Sequence, residues 1–231
     1  MSREVVYGRN PVRELIAAGS RPVHEVWALA SLRGEAWLGG VPVVERTRAE
    51  LGRLAGSSDH QGVVALTEPY PYADPRDLLE RPGAIVCLDG AHDPRNIGAI
   101  VRVAEAAGAA GLALPRRGGP GVTPTVAKAS AGAVEHLPVA QVDSVAGFVL
   151  EARDAARLAV GADQEGAEDY RALAWPDDPV LVMGAEGAGL RPRVRAACDH
   201  VVRIPMAGRV ASLNISVAAG ILLFQGLRNA D

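Results

Sequence analysis

Residues 93–108 read DPRNIGAIVRVAEAAG and follow a short apolar run at Ala84–Asp89, AIVCLD. A run of that length reads as a buried strand, and the segment after it places Ile97, Val101, Ala104 and Gly108 on one helical stripe. Two polar residues break the pattern. Asn96 stands at the loop-to-helix junction, where an amide side chain can cap the helix and also face a ligand. Arg102 lies beside the stripe, and an arginine buried among aliphatic residues needs a partner or a task. A long side chain there can reach back to the helix mouth. The alternative is a structural ion pair with Glu105 or Asp93.

Outward from this unit the strand–helix pattern repeats. GLALP, LPVAQV, RLAVGAD, PVLVMG and HVVRIP are further candidate strands. Helical stretches are expected after Asn96, around Val126–Ala133, over Ser144–Ala156 and over Pro192–Ala197. Unbroken apolar strands alternating with helices predict an α/β fold with a mainly parallel sheet covered on both faces. Upstream, NPVRELIAAG predicts a short helix capped by Asn10 and stopped by Gly19. VHEVWAL, VPVVE and QGVVALTE predict strands, and Thr47-x-x-Glu50 is a capping box. The proline-rich PYPYADPRDLLERP reads as a linker. The expected organisation is therefore a small α/β domain at 1–68, a linker at 69–82 and a larger α/β domain at 83–231.

Composition narrows the class. Of 231 residues, 48% are hydrophobic and 22% charged, an ordinary globular balance. The start, MSREVVYGRN, has no apolar signal-peptide core, and VAAGILLF is too short to span a bilayer. The two cysteines, Cys87 and Cys198, sit apart in apolar surroundings and read as reduced core residues of a cytoplasmic protein. The net charge of −3 gives no global basic footprint, although the stretch through Glu68 is balanced at eight arginines and eight acids. Lys128 is the sole lysine. Of the histidines, His24 and His200 read as structural; His60 is a candidate RNA contact from the first domain, and His92 is the histidine nearest the first loop. None has metal-ligand spacing, so no metal is expected.

Ligands of open α/β sheets bind beyond the carboxyl ends of the strands. Three loops in that position have unusual composition. The first carries Asn96 and Arg102. The second, VMGAEGAGLRP, has Gly184, Gly187 and Gly189, which bare backbone N–H groups to a close neighbour. Its Glu186 would repel phosphate, and its G-x-x-G-x-G order is the reverse of a dinucleotide fingerprint. PTVAKAS lacks the glycine of a phosphate-binding loop. The third, IPMAGRVASLNISVAAG, places Ser212 and Asn214 on either side of Leu213 at the mouth of a final helix, where either could be an N-cap.

Taken together, NIGAIVRVAEAAG, MGAEGAGL and IPMAGRVASLNISVAAGILLF, with KASAGAVEHLPV between them, resemble the SpoU (TrmH-like) branch of the SPOUT RNA methyltransferases across Ala84–Arg228. VYGRNPVREL and HQGVVAL are similar to the small substrate-binding domain, like ribosomal protein L30e, that precedes the catalytic domain in RlmB-type 23S ribosomal RNA guanosine 2′-O-methyltransferases. The resemblance implies a trefoil-knotted α/β domain, a homodimer, S-adenosylmethionine as methyl donor and a ribose 2′-hydroxyl of RNA as acceptor. It implies donor contacts from Met183, Gly184, Gly189, Ile204, Met206 and Leu213. It implies a catalytic set of Asn96, Arg102, Glu186, Ser212 and Asn214, with Arg102 beside the acceptor oxygen. Whether Arg102 takes the proton or stabilises developing alkoxide stays open at this point, since free guanidinium is a poor base.

Two rivals fit part of the pattern. A Rossmann-type oxidoreductase explains the α/β alternation but lacks the glycine fingerprint after the early strand. A non-catalytic RNA-binding protein of the same fold has no need of Asn96, Arg102, Glu186 and Asn214 together. Within the enzyme reading, transfer RNA is the alternative acceptor.

Overall fold

The computed structural model describes residues 3–185 and 187–226. The first sheet is built from β1 (Glu4–Tyr7), β2 (Val23–Ala28), β3 (Val43–Glu45) and β4 (Val63–Thr67) in the order β1-β4-β2-β3. β4 pairs antiparallel with β1 and β2, and β3 joins parallel to β2. α1 (Arg9–Ala18) and α2 (Arg48–Ala55) cover it, and the Thr47–Glu50 capping box of α2 is formed. Gly8, not Asn10, is the N-cap of α1; Gly19 ends it in the left-handed conformation. The helix therefore begins earlier than its proline suggested.

The second sheet is wholly parallel, in the order β7-β6-β5-β10-β8-β11-β9. Its strands are β5 (Ile85–Asp89), β6 (Gly111–Pro115), β7 (Val139–Val142), β8 (Ala159–Ala162), β9 (Glu168–Asp169), β10 (Val180–Gly184) and β11 (His200–Arg203). All six strands expected from apolar runs are present; only the two-residue β9 is additional. Covering helices are α4 (Pro94–Ala106), α5 (Pro124–Ala129), α6 (Val145–Asp154), α7 (Pro192–Ala197) and α8 (Ile215–Gly226). α4 buries Ile97, Gly98, Ile100, Val101 and Ala104. Gly98 is where α5 presses in: a Cβ there would lie 2.5 Å from the Cβ of Ala129 and 2.8 Å from the Val126 carbonyl oxygen. α8 packs Ala219, Leu222 and Leu223 inward. Val217 and Phe224 are left half exposed.

The segment expected to be a linker is ordered. Asp74 caps α3 (Pro75–Glu80), whose Leu78 is fully buried against the sheet. Tyr70 is buried, and its hydroxyl donates between the carbonyls of Val134 and Leu137, 3.1 Å from each. It belongs to a seam between the two sheets. Arg21 reaches out of the first unit and donates to Glu135 from Nη2 at 2.7 Å and from Nε at 3.2 Å. Arg21 also meets Glu4 at 2.8 Å, and Ser20 donates to Glu135 at 2.9 Å. The Arg21 and Glu135 side chains are 3% and 0% exposed.

Charges this far from water are tolerated only while paired and hydrogen-bonded, and removing one partner strands the other. Glu135→Ala is expected to destabilise the folded chain by about 3 kcal/mol. Arg21→Met combined with Glu135→Leu is expected to restore most of that loss. Thermal unfolding of the two variants checks this; a loss below about 1 kcal/mol for Glu135→Ala would mean the pair behaves as a solvated surface bridge.

Candidate functional site

Three loops after β5, β10 and β11 meet at the carboxyl edge of the larger sheet. The first begins α4. Asp93 is the N-cap, accepting the Arg95 N–H at 2.8 Å, and Pro94 opens the first turn. Asn96 is thus inside the first turn, not the cap expected from sequence. Its side chain faces the third loop: Asn214 Nδ2 donates to Asn96 Oδ1 at 3.0 Å.

Asn214 is held on its other side as well. Its Oδ1 accepts from the Ser216 N–H at 2.9 Å and the Ser216 hydroxyl at 2.6 Å, so Asn214 satisfies the first turn of α8 while its amide bridges to Asn96. Ser212 does not serve that end and is exposed on the loop before it.

The second loop folds back on itself directly after β10. The Ala185 N–H donates to the Gly189 carbonyl at 2.9 Å, and the Gly189 N–H donates to the Ala185 carbonyl at 3.0 Å. A Cβ on Gly184 would land on the Gly189 backbone, and Gly189 itself has φ +66°. Both glycines are therefore required by the fold of the loop itself, and Gly184→Val would disrupt the loop as well as the cleft.

Two carboxylates, neither anticipated from the sequence, clamp this loop. Asp89 ends β5 beside Gly184 and is fully buried. It accepts the Arg191 N–H at 2.9 Å and Arg191 Nε at 2.6 Å. Asp163, after β8, accepts the Leu190 N–H at 3.0 Å and the Glu165 N–H at 2.9 Å, with Arg195 Nη1 at 3.1 Å. Burial pushes the Asp163 pKa up, but those N–H groups and the arginine outweigh it and hold the carboxyl below its ordinary range. The only sequence signal for either was an acid closing an apolar strand.

Between the second and third loops lies a cavity of about 450 Å³. Met183, Gly184, Gly189, Ile204, Met206 and Leu213 all line it, and so do Ser212, Asp163, Ile215 and Leu222. The structure thus gathers around one space every residue expected to touch a donor. Glu186 lies outside the described residues.

Arg102 differs from expectation. It is exposed, and its guanidinium makes no hydrogen bond or ion pair with a described residue, so neither Glu105 nor Asp93 is its partner. One residue past the buried Val101 turns the side chain by about 100°, enough to leave the packed stripe. His60 is 1% exposed and accepts the Gly62 N–H through Nδ1, so it is a structural group and not an RNA contact. Desolvation lowers its pKa, favouring the neutral ring. Cys87 is buried and Cys198 half-buried; both are free thiols. Among the described residues no group of histidine, cysteine and acidic side chains could hold a metal, and no helix is long and apolar enough to cross a membrane.

Asp163→Asn should remove charge-assisted hydrogen bonds and cost about 1.5–3 kcal/mol at neutral pH. Because the folded-state pKa is depressed, that stabilisation is full above the unfolded carboxyl value near 3.9 and fades as pH falls through the folded value. The gap in thermal stability between wild type and variant should therefore be constant from pH 7 to about 5 and close below pH 4. A gap that widens in acid would contradict the assignment.

Comparison with known proteins agrees with this geometry. The model of the SpoU rRNA methylase family matches residues 83–224, and the model of the RNA 2′-O ribose methyltransferase substrate-binding domain matches residues 5–73. A Bacillus subtilis protein named as a TrmH-family tRNA/rRNA methyltransferase, YacO, is 37% identical over 243 residues, covering 99% of this chain and 96% of its own. The SpoU methyltransferase AviRb of Streptomyces viridochromogenes, solved with AdoMet, superimposes with a TM-score of 0.83 at 29% identity, covering 99% of this chain and 90% of that one. An AdoMet-bound rRNA methyltransferase of Sinorhizobium meliloti gives 0.80 at 28% identity, covering 98% and 87%. The larger sheet, with its glycine-loop cavity and Asn96–Asn214 bridge, has the SPOUT fold, and the chain belongs to the SpoU family of RNA methyltransferases.

Proposed function

We propose that the chain transfers the methyl group of S-adenosylmethionine to a ribose 2′-hydroxyl, that of a guanosine in 23S ribosomal RNA. The observation that carries the reading is the Asn96–Asn214 bridge beside the loops that line the cavity, because it sets two fixed amide side chains next to a space walled largely by apolar side chains and bare backbone. About 450 Å³ falls within the usual range for a small-molecule site, about 300–1,000 Å³. The residues fit the donor. Ile204, Leu213, Ile215 and Leu222 offer apolar walls to an adenosine, the bare backbone at Gly184 and Gly189 permits close approach, and Asp163 favours a cationic ligand over a phosphate-rich one.

When bound, S-adenosylmethionine supplies an electrophilic methyl group on a sulfonium centre. Asn96 and Asn214, each fixed by the other, orient the ribose at the lip of the cavity. Arg102, an exposed donor fork, stabilises negative charge as it develops on the 2′-oxygen, whose proton passes to solvent as the methyl group is accepted. Ser212 hydrogen-bonds the same nucleotide or the donor, and Glu186 orders the glycine loop. The unit at 1–68 holds the RNA, and the likeness to the Sinorhizobium rRNA methyltransferase along 98% of this chain supports the ribosomal choice. Such an enzyme works in the cytoplasm. The half-exposed Val217 and Phe224 on α8 support a homodimer through that helix, where burial of both would be favourable.

Two measurements test this reading. Leu213→Ala removes one apolar wall and is expected to weaken S-adenosylmethionine binding about tenfold by calorimetry, or about 1.4 kcal/mol. Unchanged affinity would remove the cavity as the donor site. Arg102→Ala is expected to keep donor affinity and melting temperature, since the exposed guanidinium supports no packing, yet to lose about 10²–10⁴ in single-turnover rate. A near-normal rate would take Arg102 out of the chemistry.

A further inference from the structure

The chain carries 27 acidic residues against 24 lysines and arginines, an unusual balance for a protein that grips a polyanion. Its arginines are not equivalent. Arg9, Arg21, Arg153, Arg171 and Arg195 are each held by a carboxylate. At the carboxyl edge of the larger sheet, Asp143 holds Arg116 at 2.9 Å and Asp89 holds Arg191 at 2.5 Å. Among the exposed arginines of that edge that make no side-chain hydrogen bond or ion pair with a described residue, Arg95 after β5 and Arg117 after β6 stand on neighbouring loops. Asp93 caps α4, and Asp143 is taken by Arg116.

The two loops bearing these arginines touch. A Cβ on Gly119 would lie 3.0 Å from the Ala91 carbonyl oxygen, so the loop after β6 lies on the loop after β5. The β6 loop is also fastened at both ends. Arg116 donates to Asp143 and to the Gln141 carbonyl; at the far end, Tyr72 Oη accepts the Val122 N–H at 2.8 Å. Arg117 is therefore presented from a braced loop, and ordering it on a ligand costs little beyond its own side-chain entropy. In the sheet β6 neighbours β5, whose following helix carries Asn96, whereas the cavity lies beyond β10, between the β10 and β11 loops.

We propose that Arg95 and Arg117 form a phosphate-binding track that leads the RNA backbone to Asn96 from the β6 side, opposite the donor cavity. The proposal rests on the reading that the chain acts on RNA. Planar guanidinium forks suit phosphate oxygens, and two of them without carboxylate partners concentrate positive potential at one lip of the crevice while the molecule as a whole stays acidic. A surface built this way needs no global basic charge.

Each phosphate contact releases counterions, so its loss reduces the slope of log K against log salt by about 0.7 for single strands and 0.9 for duplex. Binding of 23S ribosomal RNA and of bulk transfer RNA is measured by filter retention over a range of salt for wild type, Arg95→Ala, Arg117→Ala and the double variant. Arg76→Ala, an exposed arginine on α3 near the opposite end of the sheet, is the control. Each single variant is expected to lose about 0.7–0.9 of slope, the double variant about twice that, and the control none. Donor affinity is expected to stay at the wild-type value throughout. RNA binding by wild type with unchanged slopes for Arg95→Ala and Arg117→Ala overturns the track and leaves the enzymatic reading standing. An equal loss for Arg76→Ala also overturns it, because it would show diffuse charge. Failure of wild type to bind either RNA at any salt overturns both readings.

Discussion

A carboxylate with no access to water shapes the site. Asp89 ends the interior strand β5, and a carboxylate buried there needs full compensation. Arg191 supplies it from the far end of the glycine loop, through its backbone N–H and its guanidinium together. With Asp163 gripping Leu190 and Arg195, the loop after β10 is pinned to the ends of both strands beside β10. The double backbone bond between Ala185 and Gly189 then closes it on itself, and that closure requires Gly184 to lack a side chain. The cavity wall at Gly184 and Gly189 is bare backbone held by these bonds, and a wall held in place takes a ligand without first being ordered.

A second buried ion pair fixes the first unit against the second. Arg21 and Glu135 join units that sequence alone separates by a proline-rich stretch, and Tyr70 donates into the same seam. Glu135 follows α5, which packs against α4 at Gly98, and α4 carries Asn96 and Arg102. The first unit is thus seated on the element next to α4, so the two units are joined without a slack tether.

Much of this was legible in the residues. Strands buried on both faces must be apolar throughout, which is why β5, β6, β7, β8, β10 and β11 stand out as runs. Gly184, Gly189 and the Ser212–Asn214 mouth were visible because composition departs from ordinary loops there. Other features were hidden for physical reasons. α3 spans only Pro75–Glu80 and buries Leu78 alone among its residues, too little for periodicity to register. Asp93 and Asn96 can both cap a helix, and only backbone geometry shows that Asp93 does. Arg102 was expected to be buried because its neighbours are aliphatic, yet a helix turns its next residue out of a packed stripe. The pairings of Asp89 with Arg191 and of Arg21 with Glu135 join residues about a hundred positions apart and leave no local pattern.

The central claim is that this edge of the sheet methylates a ribose oxygen. Alkaline cleavage of RNA requires a free 2′-hydroxyl, so one methylated linkage resists it. Ribosomal RNA from a strain lacking the protein is incubated with the purified chain and S-adenosylmethionine, then hydrolysed in alkali and mapped. The account predicts one new alkali-resistant linkage, 3′ of a guanosine in 23S ribosomal RNA, absent when Arg102→Ala is used. Methyl incorporation into a base, with every linkage still cleaved by alkali, would contradict it.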